Sequence, residues 1–205
     1  AEKILVDQVG VKEIYIGPNY KFGKGRKGTP ELLAEIGKEL GFTVKAIPEI
    51  KSNNITFSSS KVRTLIAKGK VSEAAAYLGR NYSVEGVVIE GAKRGSTLLS
   101  TPTANISTSN ELLPMDGVYA VTAELGGKIY GGAANIGCNP TFGEKKYSFE
   151  VHIFKFNKKI VGKSLKVNFI ERIRDEVKFS SADELKIQMM SDITSIKNML
   201  EKLGV

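Results

Sequence analysis

The sequence predicts an α/β segment at the front of the chain, followed by a closed antiparallel β-barrel and a long terminal helix. The front has the order strand, basic loop, helix and strand within residues 14–47. From Tyr82 onward the hydrophobic period changes to two, and short strands joined by tight turns are typical of a barrel. After Phe179 a capped amphipathic pattern predicts the final helix.

Composition limits the chemistry that the chain can support. It has 205 residues, of which 41 % are hydrophobic. No run of about 18 apolar residues and no secretory signal is visible, so we expect a cytoplasmic protein that does not enter a membrane. The single cysteine, Cys138, excludes an internal disulfide, and with the single histidine, His152, it excludes a Cys/His zinc cluster. Any Ser-His-Asp or Cys-His mechanism would have to use His152.

The net charge of +8 is concentrated at the front of the chain. Residues 1–82 hold 14 Lys/Arg and 8 Asp/Glu, whereas residues 83–205 hold 16 and 14. Much of the excess lies in one loop, at Lys21, Lys24, Arg26 and Lys27. Two interpretations stay open, a solvated loop and a site for phosphates. RNA is the less favoured partner, because no aromatic-rich platform with interleaved Lys/Arg is present.

Local signals place the elements of the front segment. An apolar strand over 14–16 ends in a Gly-Pro breaker. After the basic loop, Thr29 is predicted to cap a helix that begins at Pro30 and ends at Gly41. A second strand follows over 42–47. Two strands cannot build a covered parallel sheet, so we interpret the segment as the back half of an α/β domain.

Two short helices, beginning at Ser58 and Val71, are predicted to link this segment to the barrel. We therefore place the first domain at residues 1–80 and the second at 81–205. Period-two patterning predicts barrel strands over 83–90, 117–125, 128–134, 147–156 and 160–170.

The terminal helix is predicted to begin with a capping box of Ser181 and Glu184. Its apolar positions recur at helical spacing and should form one buried stripe. The stripe comprises Leu185, Met189, Ile193, Ile196, Leu200 and Leu203.

A glycine-flanked basic turn, Gly91–Gly95, precedes the segment Pro102-Thr-Ala-Asn105. Backbone N–H groups in such a turn can approach an anion, and Arg94 adds charge. Thr103 and Asn105 alternate along an extended segment, so their oxygens face one side and suit Mg²⁺ carrying nucleotide phosphates. An ordinary hairpin loop is the alternative.

Glu150 lies in the otherwise apolar strand Tyr147–Phe154. A buried carboxylate there is costly unless it is paired or functional, so Glu150 is a candidate general base. The alternative is the solvated face of a half-exposed strand. A lone His152 is more often a hydrogen-bonded structural residue than a catalyst.

Two further segments carry weaker signals. Residues 135–143 form a turn-rich stretch that is interpreted as a loop between strands. Residues 171–179 combine mixed charges with a final aromatic, and their simplest interpretation is a salt-bridged loop before the terminal helix.

Taken together and in order, these motifs resemble riboflavin kinase. The motifs are Gly86-x-Val88, Arg94-Gly95, Pro102-Thr-Ala-Asn105, Asp116-Gly-Val-Tyr119, Asn135-Ile-Gly-x-Asn-Pro-Thr-Phe142, Glu150-Val-His152 and Arg174-Asp-Glu-x-Lys-Phe179. The front resembles the later adenylyltransferase motifs of the bacterial bifunctional riboflavin kinase/FAD synthetases, at Phe22-Gly23, Arg26, Ser59, Ser60 and Arg63. The resemblance covers essentially the whole chain.

The resemblance implies a partial Rossmann-like nucleotidyltransferase half, then a six-stranded antiparallel Greek-key barrel with a C-terminal helix. It implies that ATP and Mg²⁺ are used to convert riboflavin to FMN, with Glu150 as the general base. Thr103 and Asn105 would hold Mg²⁺ and the ATP phosphates. The nucleotide would be covered by Gly91, Lys93, Arg94 and Gly95, and the flavin side would be formed by Arg174, Asp175 and Phe179.

The chain departs from the family pattern at two places. One extra residue stands before Pro102, and Leu99 or Ser100 occupies a position where a glycine is expected. The early adenylyltransferase signature, which contains histidines, is absent because the only histidine is His152. The first departure keeps a second hypothesis open, a non-catalytic flavin- or nucleotide-binding regulator. The second indicates that FMN adenylyltransferase activity would need a front half not present here.

Overall fold

The computed structural model describes residues 2–17, 19–48, 51–52, 55–56, 58–91, 103–141 and 144–205. They form two compact units, Ala1–Ser58 and Ser59–Val205. None of the helices in this described part of the chain is long and apolar enough to cross a membrane.

The first unit contains the predicted strand, loop, helix and strand. Strands β1 (Glu13–Ile16) and β2 (Thr43–Ala46) pair in parallel, and helix α1 (Pro30–Leu40) connects them. The cap signals act as expected, since the Thr29 hydroxyl accepts from the Leu32 N–H at 3.3 Å and Gly41 ends the helix in the left-handed region. The remaining elements are a π-helical turn Glu2–Gln8, a 3₁₀ turn Lys24–Arg26, and the short antiparallel pair β3 (Lys51–Ser52) and β4 (Ile55–Thr56).

The second unit is a closed six-stranded antiparallel barrel with helices around it. The strands close in the order β10-β5-β6-β9-β8-β7. Because β10 returns beside β7 after the meander β7-β8-β9, the barrel has the predicted Greek-key connection. Its elements are helices α2 (Ser59–Ala67) and α3 (Val71–Leu78), strands β5 (Tyr82–Ile89), β6 (Ala104–Ser107), β7 (Gly117–Leu125), β8 (Lys128–Thr141), β9 (Glu144–Ile153) and β10 (Ser164–Arg174), and helix α4 (Ala182–Lys202).

The inward side chains of all six strands fill the barrel. Phe169 lies at the centre of this core with no exposed surface, and its ring contacts those of Tyr119, Tyr82 and Phe149. Outside the barrel, α4 packs through Ile196 and Leu200 against β7 and its neighbours. The barrel thus has an apolar interior and a second apolar layer beneath α4.

The two linker helices group with the barrel rather than with residues 1–58. Leu65, Ile66 and Ala74 form a small buried cluster, and Val71 at the start of α3 enters the barrel core. The division into functional domains at residue 80 stays a prediction.

Two segments that the sequence indicated as loops are strand. Strand β8 continues to Thr141, so residues 135–141 belong to the sheet. Pro140 fits there because residues beyond Ile136 pair with β9 and not with β7, which leaves an edge where no donor is required. Residues 171–174 form the end of β10, where two bulges interrupt the alternation that would have revealed a strand.

The terminal helix begins as predicted but buries a shorter stripe. The Ser181 hydroxyl accepts from the Glu184 N–H at 3.2 Å, while the Glu184 carboxylate accepts from the N–H of Ser180, one residue earlier than in the standard box. Leu203 was expected to be buried and is 58 % exposed. It caps the helix in its last turn and lies beyond the part of α4 that contacts the barrel.

Replacement of Phe169 by alanine should destabilise the barrel by about 3–5 kcal/mol, because the side chain is fully buried among three aromatic rings. Urea unfolding of the purified variant measures the change. The control, Ile129→Ala, removes an apolar side chain that is 63 % exposed and should change the free energy of unfolding by less than about 0.5 kcal/mol. Equal effects of the two substitutions would contradict this placement of the core.

Candidate active site

The candidate base lies between two asparagines on neighbouring strands. Glu150 of β9 is the register partner of Asn105 of β6 on one side and of Asn135 of β8 on the other. Directly paired residues point to the same face of a sheet, with Cβ atoms about 4.5–5.5 Å apart. All three side chains are half-buried. They form a polar row across three strands.

The barrel core determines which way this row faces. On the three strands concerned, the neighbours Ala104, Val151 and Ala134 pair with one another and point into the core. Because side chains alternate along a strand, Asn105, Glu150 and Asn135 must lie on the outer face.

The close approach of Gly91 adds a second contact to Asn105. Gly91 follows β5, whose last residue, Ile89, pairs with Asn105. A Cβ atom at Gly91 would lie only 2.7 Å from Asn105 Cγ and still closer to its amide nitrogen, so the backbone at Gly91 lies directly against this amide. Thr103, also half-buried, immediately precedes β6. The structure therefore brings Gly91, Asn105 and Glu150 together.

The remaining members of the predicted nucleotide-binding turn, Lys93, Arg94 and Gly95, lie outside the described residues, as does Pro102. Among the residues that are described, no group of three or more His, Cys, Asp or Glu side chains could hold a metal ion.

Strand register connects the polar row to the predicted flavin-side residues through one buried apolar residue, Val118. Asn135 pairs with Val118 of β7, and Val118 pairs with Arg174 of β10. Neighbouring strands are about 4.8 Å apart, so three strand spacings separate Glu150 from Arg174 along the curved sheet. The same outer face carries both groups.

Arg174 is held by α4. Its Nε and Nη2 lie 2.9 and 2.8 Å from Asp192 Oδ2, its Nη1 donates to the Asp175 carbonyl at 2.9 Å, and its guanidinium lies 5.7 Å from the centre of the Phe179 ring. Arg174 thus contacts both of the other residues predicted to form the flavin side, Asp175 and Phe179.

A second arginine supports the same segment from the opposite side. The Arg172 guanidinium forms an ion pair with the Asp175 carboxylate at 2.6 Å, donates to the Tyr119 hydroxyl at 3.2 Å and also donates to the Asp116 carbonyl. The Tyr119 hydroxyl in turn donates to the Met115 carbonyl. Burial raises the pKa of Tyr119 above its usual value, and the neighbouring Arg172 opposes this shift.

Two residues of this face, Asn135 and Glu176, belong to the motifs quoted above but were given no role from the sequence. Asn135 fell in a stretch interpreted as a loop, although its spacing from Ala133 would have extended the strand. The Glu176 carboxyl carbon lies only 2.5 Å from where a Cβ of Gly137 would be, so this acidic side chain covers β8 two residues beyond Asn135. Nothing in the sequence pairs Glu176 with Gly137.

The residues assigned to an adenylyltransferase remnant fall in both units. Phe22 and Gly28 form an isolated antiparallel bridge around the basic loop, in which Gly23 and Arg26 have positive φ angles of 74° and 57°. Ser59, Ser60 and Arg63 lie on α2 of the second unit. Their role stays a prediction.

Comparison with known proteins matches both parts of the chain. Residues 78–200 match the family model described as riboflavin kinase, and residues 1–61 match the model described as FAD synthetase. The bifunctional riboflavin kinase/FMN adenylyltransferase of Haemophilus influenzae is 37 % identical over 96 % of this chain and 64 % of its own length. The protein of the same name from Bacillus subtilis is 37 % identical over 93 % and 62 %. These matches confirm the resemblance seen in the motifs.

A crystal structure described as a macrolide-efflux protein from Streptococcus pneumoniae is similar in fold, with a TM-score of 0.76 and 36 % identity. The match covers 89 % of this chain and 59 % of that one. The chain therefore spans somewhat less than two thirds of the length of the relatives that it matches.

The raised pKa of Tyr119 makes a testable contribution to stability at high pH. The unfolded chain ionises this phenol near its ordinary pKa of 10.0, below the folded pKa, so the contribution is complete below about pH 10 and is lost as the pH rises toward the folded pKa. Tyr119→Phe should lower the free energy of unfolding at pH 8 by about 1 kcal/mol, because hydrogen bonds are lost. Above about pH 10 the free energy of unfolding of this variant should decline less steeply than that of the wild-type protein. Urea titrations between pH 8 and 11 measure both effects, and parallel curves for the two proteins would contradict the assignment.

Proposed function

Because the chain belongs to the riboflavin kinase family, we propose that it transfers the γ-phosphoryl group of ATP to the terminal ribityl hydroxyl of riboflavin and forms FMN. The observation that carries the proposal is the pairing of Glu150 with Asn105. A carboxylate and an amide on adjacent strands place a proton acceptor beside a hard oxygen donor on one face.

Phosphoryl transfer requires positioning and charge neutralisation more than covalent participation by the protein, so a site with no catalytic cysteine or histidine can support it. Glu150 would accept the proton of the ribityl hydroxyl as that oxygen attacks the γ-phosphorus, with ADP as the leaving group. Asn135 on the other side of Glu150 would help to orient the carboxylate. These assignments rest on register and burial.

Thr103 and Asn105 would hold Mg²⁺ with the nucleotide phosphates. Their donors fit this ion, because hydroxyl and amide oxygens are hard ligands and Mg²⁺ commonly takes its other ligands from phosphate and water. When bound, Mg²⁺ would neutralise charge on the phosphates. Gly91, which lies against the Asn105 amide, would keep that amide in place, and Lys93, Arg94 and Gly95 would cover the nucleotide. Arg174, Asp175 and Phe179 would face the flavin.

If this chain is part of a longer protein, that protein would be bifunctional, as the names of the relatives suggest. FMN adenylyltransferase activity is not proposed for this chain alone, because the sequence lacks the early signature of that activity. The protein would act on small molecules and work in the cytoplasm.

Replacement of Glu150 by glutamine should abolish most kinase activity while leaving substrate binding intact. We expect the wild-type protein to form FMN from riboflavin, ATP and Mg²⁺, and Glu150→Gln to lower kcat by about 10²–10⁴-fold. Chromatographic detection of FMN measures turnover, and quenching of flavin fluorescence measures binding. The matched control is Glu124→Gln. Glu124 is also a strand glutamate, but it lies away from the candidate site, and its carboxylate forms an ion pair with Lys166 at 3.2 Å.

Three outcomes are informative. Loss of activity in Glu150→Gln with activity retained in Glu124→Gln supports the proposal. Flavin binding by the wild-type protein with no FMN formed would favour the alternative, a non-catalytic regulator. Equal turnover by the wild-type protein and Glu150→Gln would exclude Glu150 as the base.

Substitution of Gly91 by alanine should impair nucleotide use without unfolding the barrel. The added methyl group would displace the Asn105 amide, and we expect the KM for ATP to rise about tenfold or more. Steady-state kinetics with varied ATP measure this change. Gly17→Ala is the control, because a Cβ there meets nothing within 4 Å and the backbone needs no positive φ. An unchanged KM for ATP in Gly91→Ala would contradict the role of this contact.

A further inference from the structure

A buried carboxylate on the terminal helix lies behind the predicted flavin side of the site. Asp192 is only 6 % exposed, and it is the one charged side chain classed as buried in the part of the chain that the structure describes. Burial of a carboxylate is costly unless it is paired. Both oxygens of Asp192 have partners, since Oδ2 accepts from Nε and Nη2 of Arg174 and Oδ1 accepts from Gln188 Nε2 at 2.8 Å.

Docking of α4 also has an apolar contribution that is separate from this charge. The helix packs on the barrel through Ile196 and Leu200, which are almost fully buried with the apolar side chains around them. A buried ion pair is often no more stabilising than apolar residues of similar size, so an ion pair in this position is better explained by orientation than by stability. The group that it orients is the Arg174 guanidinium.

Arg174 transmits this orientation to both ends of the segment 175–179. Its remaining Nη1 donates to the carbonyl of Asp175, and its planar guanidinium lies over the ring of Phe179. With Nε and Nη2 fixed by Asp192, the plane of the guanidinium has little freedom to rotate. The ion pair therefore fixes the start and the end of the segment together.

The middle of the segment reaches the polar row. Glu176 lies over Gly137 of β8, and Gly137 is two residues from Asn135, the register partner of Glu150. The segment thus runs along the outer face within about 7 Å, two residues of strand, of the row that carries the candidate base. A shift of the segment would alter the wall of the site on the side away from Thr103 and Asn105.

We propose that Asp192 is a positioning residue for the phosphoryl acceptor: through Arg174 it holds residues 175–179 in the conformation that forms the riboflavin wall of the site. This inference rests on the proposed function and extends it to a residue of α4 that no motif singled out. It requires an effect on the acceptor and not on the nucleotide, because the segment lies on the Asn135 side of Glu150.

Asp192→Asn preserves the shape of the side chain and removes its charge, and it tests the proposal through two readouts. The first is kinetic: the KM for riboflavin should rise about tenfold, while kcat and the KM for ATP change less than twofold. The second is independent of activity: amide hydrogen exchange at residues 176–179 should become about tenfold faster, with exchange in the barrel strands unchanged.

Two further variants separate positioning from simple stability. Gln188→Ala removes the hydrogen bond to Oδ1 but leaves both bonds from Arg174, so it should leave both readouts near their wild-type values. Arg174→Lys retains a positive charge beside Asp192 but loses the planar fork, and it should reproduce the effect of Asp192→Asn on the KM for riboflavin. Because Arg174 is itself expected to face the flavin, its decisive readout, if Asp192→Asn folds poorly, is amide exchange at residues 176–179, which should also become about tenfold faster.

The outcomes distinguish this inference from the function on which it rests. Faster exchange with an unchanged KM for riboflavin, or unchanged exchange in Asp192→Asn, would overturn the positioning role while leaving kinase activity intact. If the wild-type protein forms no FMN, the proposed function fails, and fluorescence titration of riboflavin decides the present inference. Weaker binding by Asp192→Asn would then support it, and no binding by the wild-type protein would overturn it.

Discussion

The register of the closed barrel is the constraint on which the site depends. Ala104, Val151 and Ala134 pair across β6, β9 and β8 and point into the core, and Tyr119 continues this inner row on β7. A slip by one residue on any of these strands would bring polar side chains into the core. The large free-energy penalty of such a slip fixes the register and therefore the outer row. Apolar burial inside the barrel thus aligns the polar groups outside it.

This arrangement shows which polar groups the outer face offers in a chain with one histidine and one cysteine. Its polar groups are amides, a hydroxyl and carboxylates, which suit the positioning of phosphates and the transfer of a proton. Each polar group lies on or beside a strand whose adjacent residues are buried in the core, so the rigid barrel positions these groups precisely. The contact between Gly91 and Asn105 adds to that placement, because the absence of a side chain at Gly91 lets its backbone lie directly against the Asn105 amide.

The terminal helix combines two functions that are physically distinct. Its apolar stripe at Ile196 and Leu200 supplies burial, which is non-directional and tolerates small shifts. One turn earlier, Asp192 supplies a directional pair with Arg174, which fixes an angle as well as a distance. The helix therefore both covers the barrel and reaches the edge of the candidate site, with different residues for each.

Local signals in the sequence determined the element types, because they act within a few residues. Thr29, Pro30 and Gly41 define α1 by capping, and Ser181 defines the start of α4 in the same way. Alternation determined most of the barrel strands and the face that carries Glu150, and the motifs identified the family.

Only the tertiary structure decided which residues meet across strands. The sequence did not predict that β8 extends past Pro140 or that β10 extends to Arg174. A proline and a run of mixed charges usually indicate a loop, and only the structure shows the unpaired edge of β8 and the two bulges of β10 that accommodate them. Asp192 has the sequence character of a solvated helix residue, and Glu176 that of a loop charge, yet one is buried against Arg174 and the other covers Gly137. Such contacts join residues far apart in the chain, and closure of the barrel, a property of all six strands together, selects them.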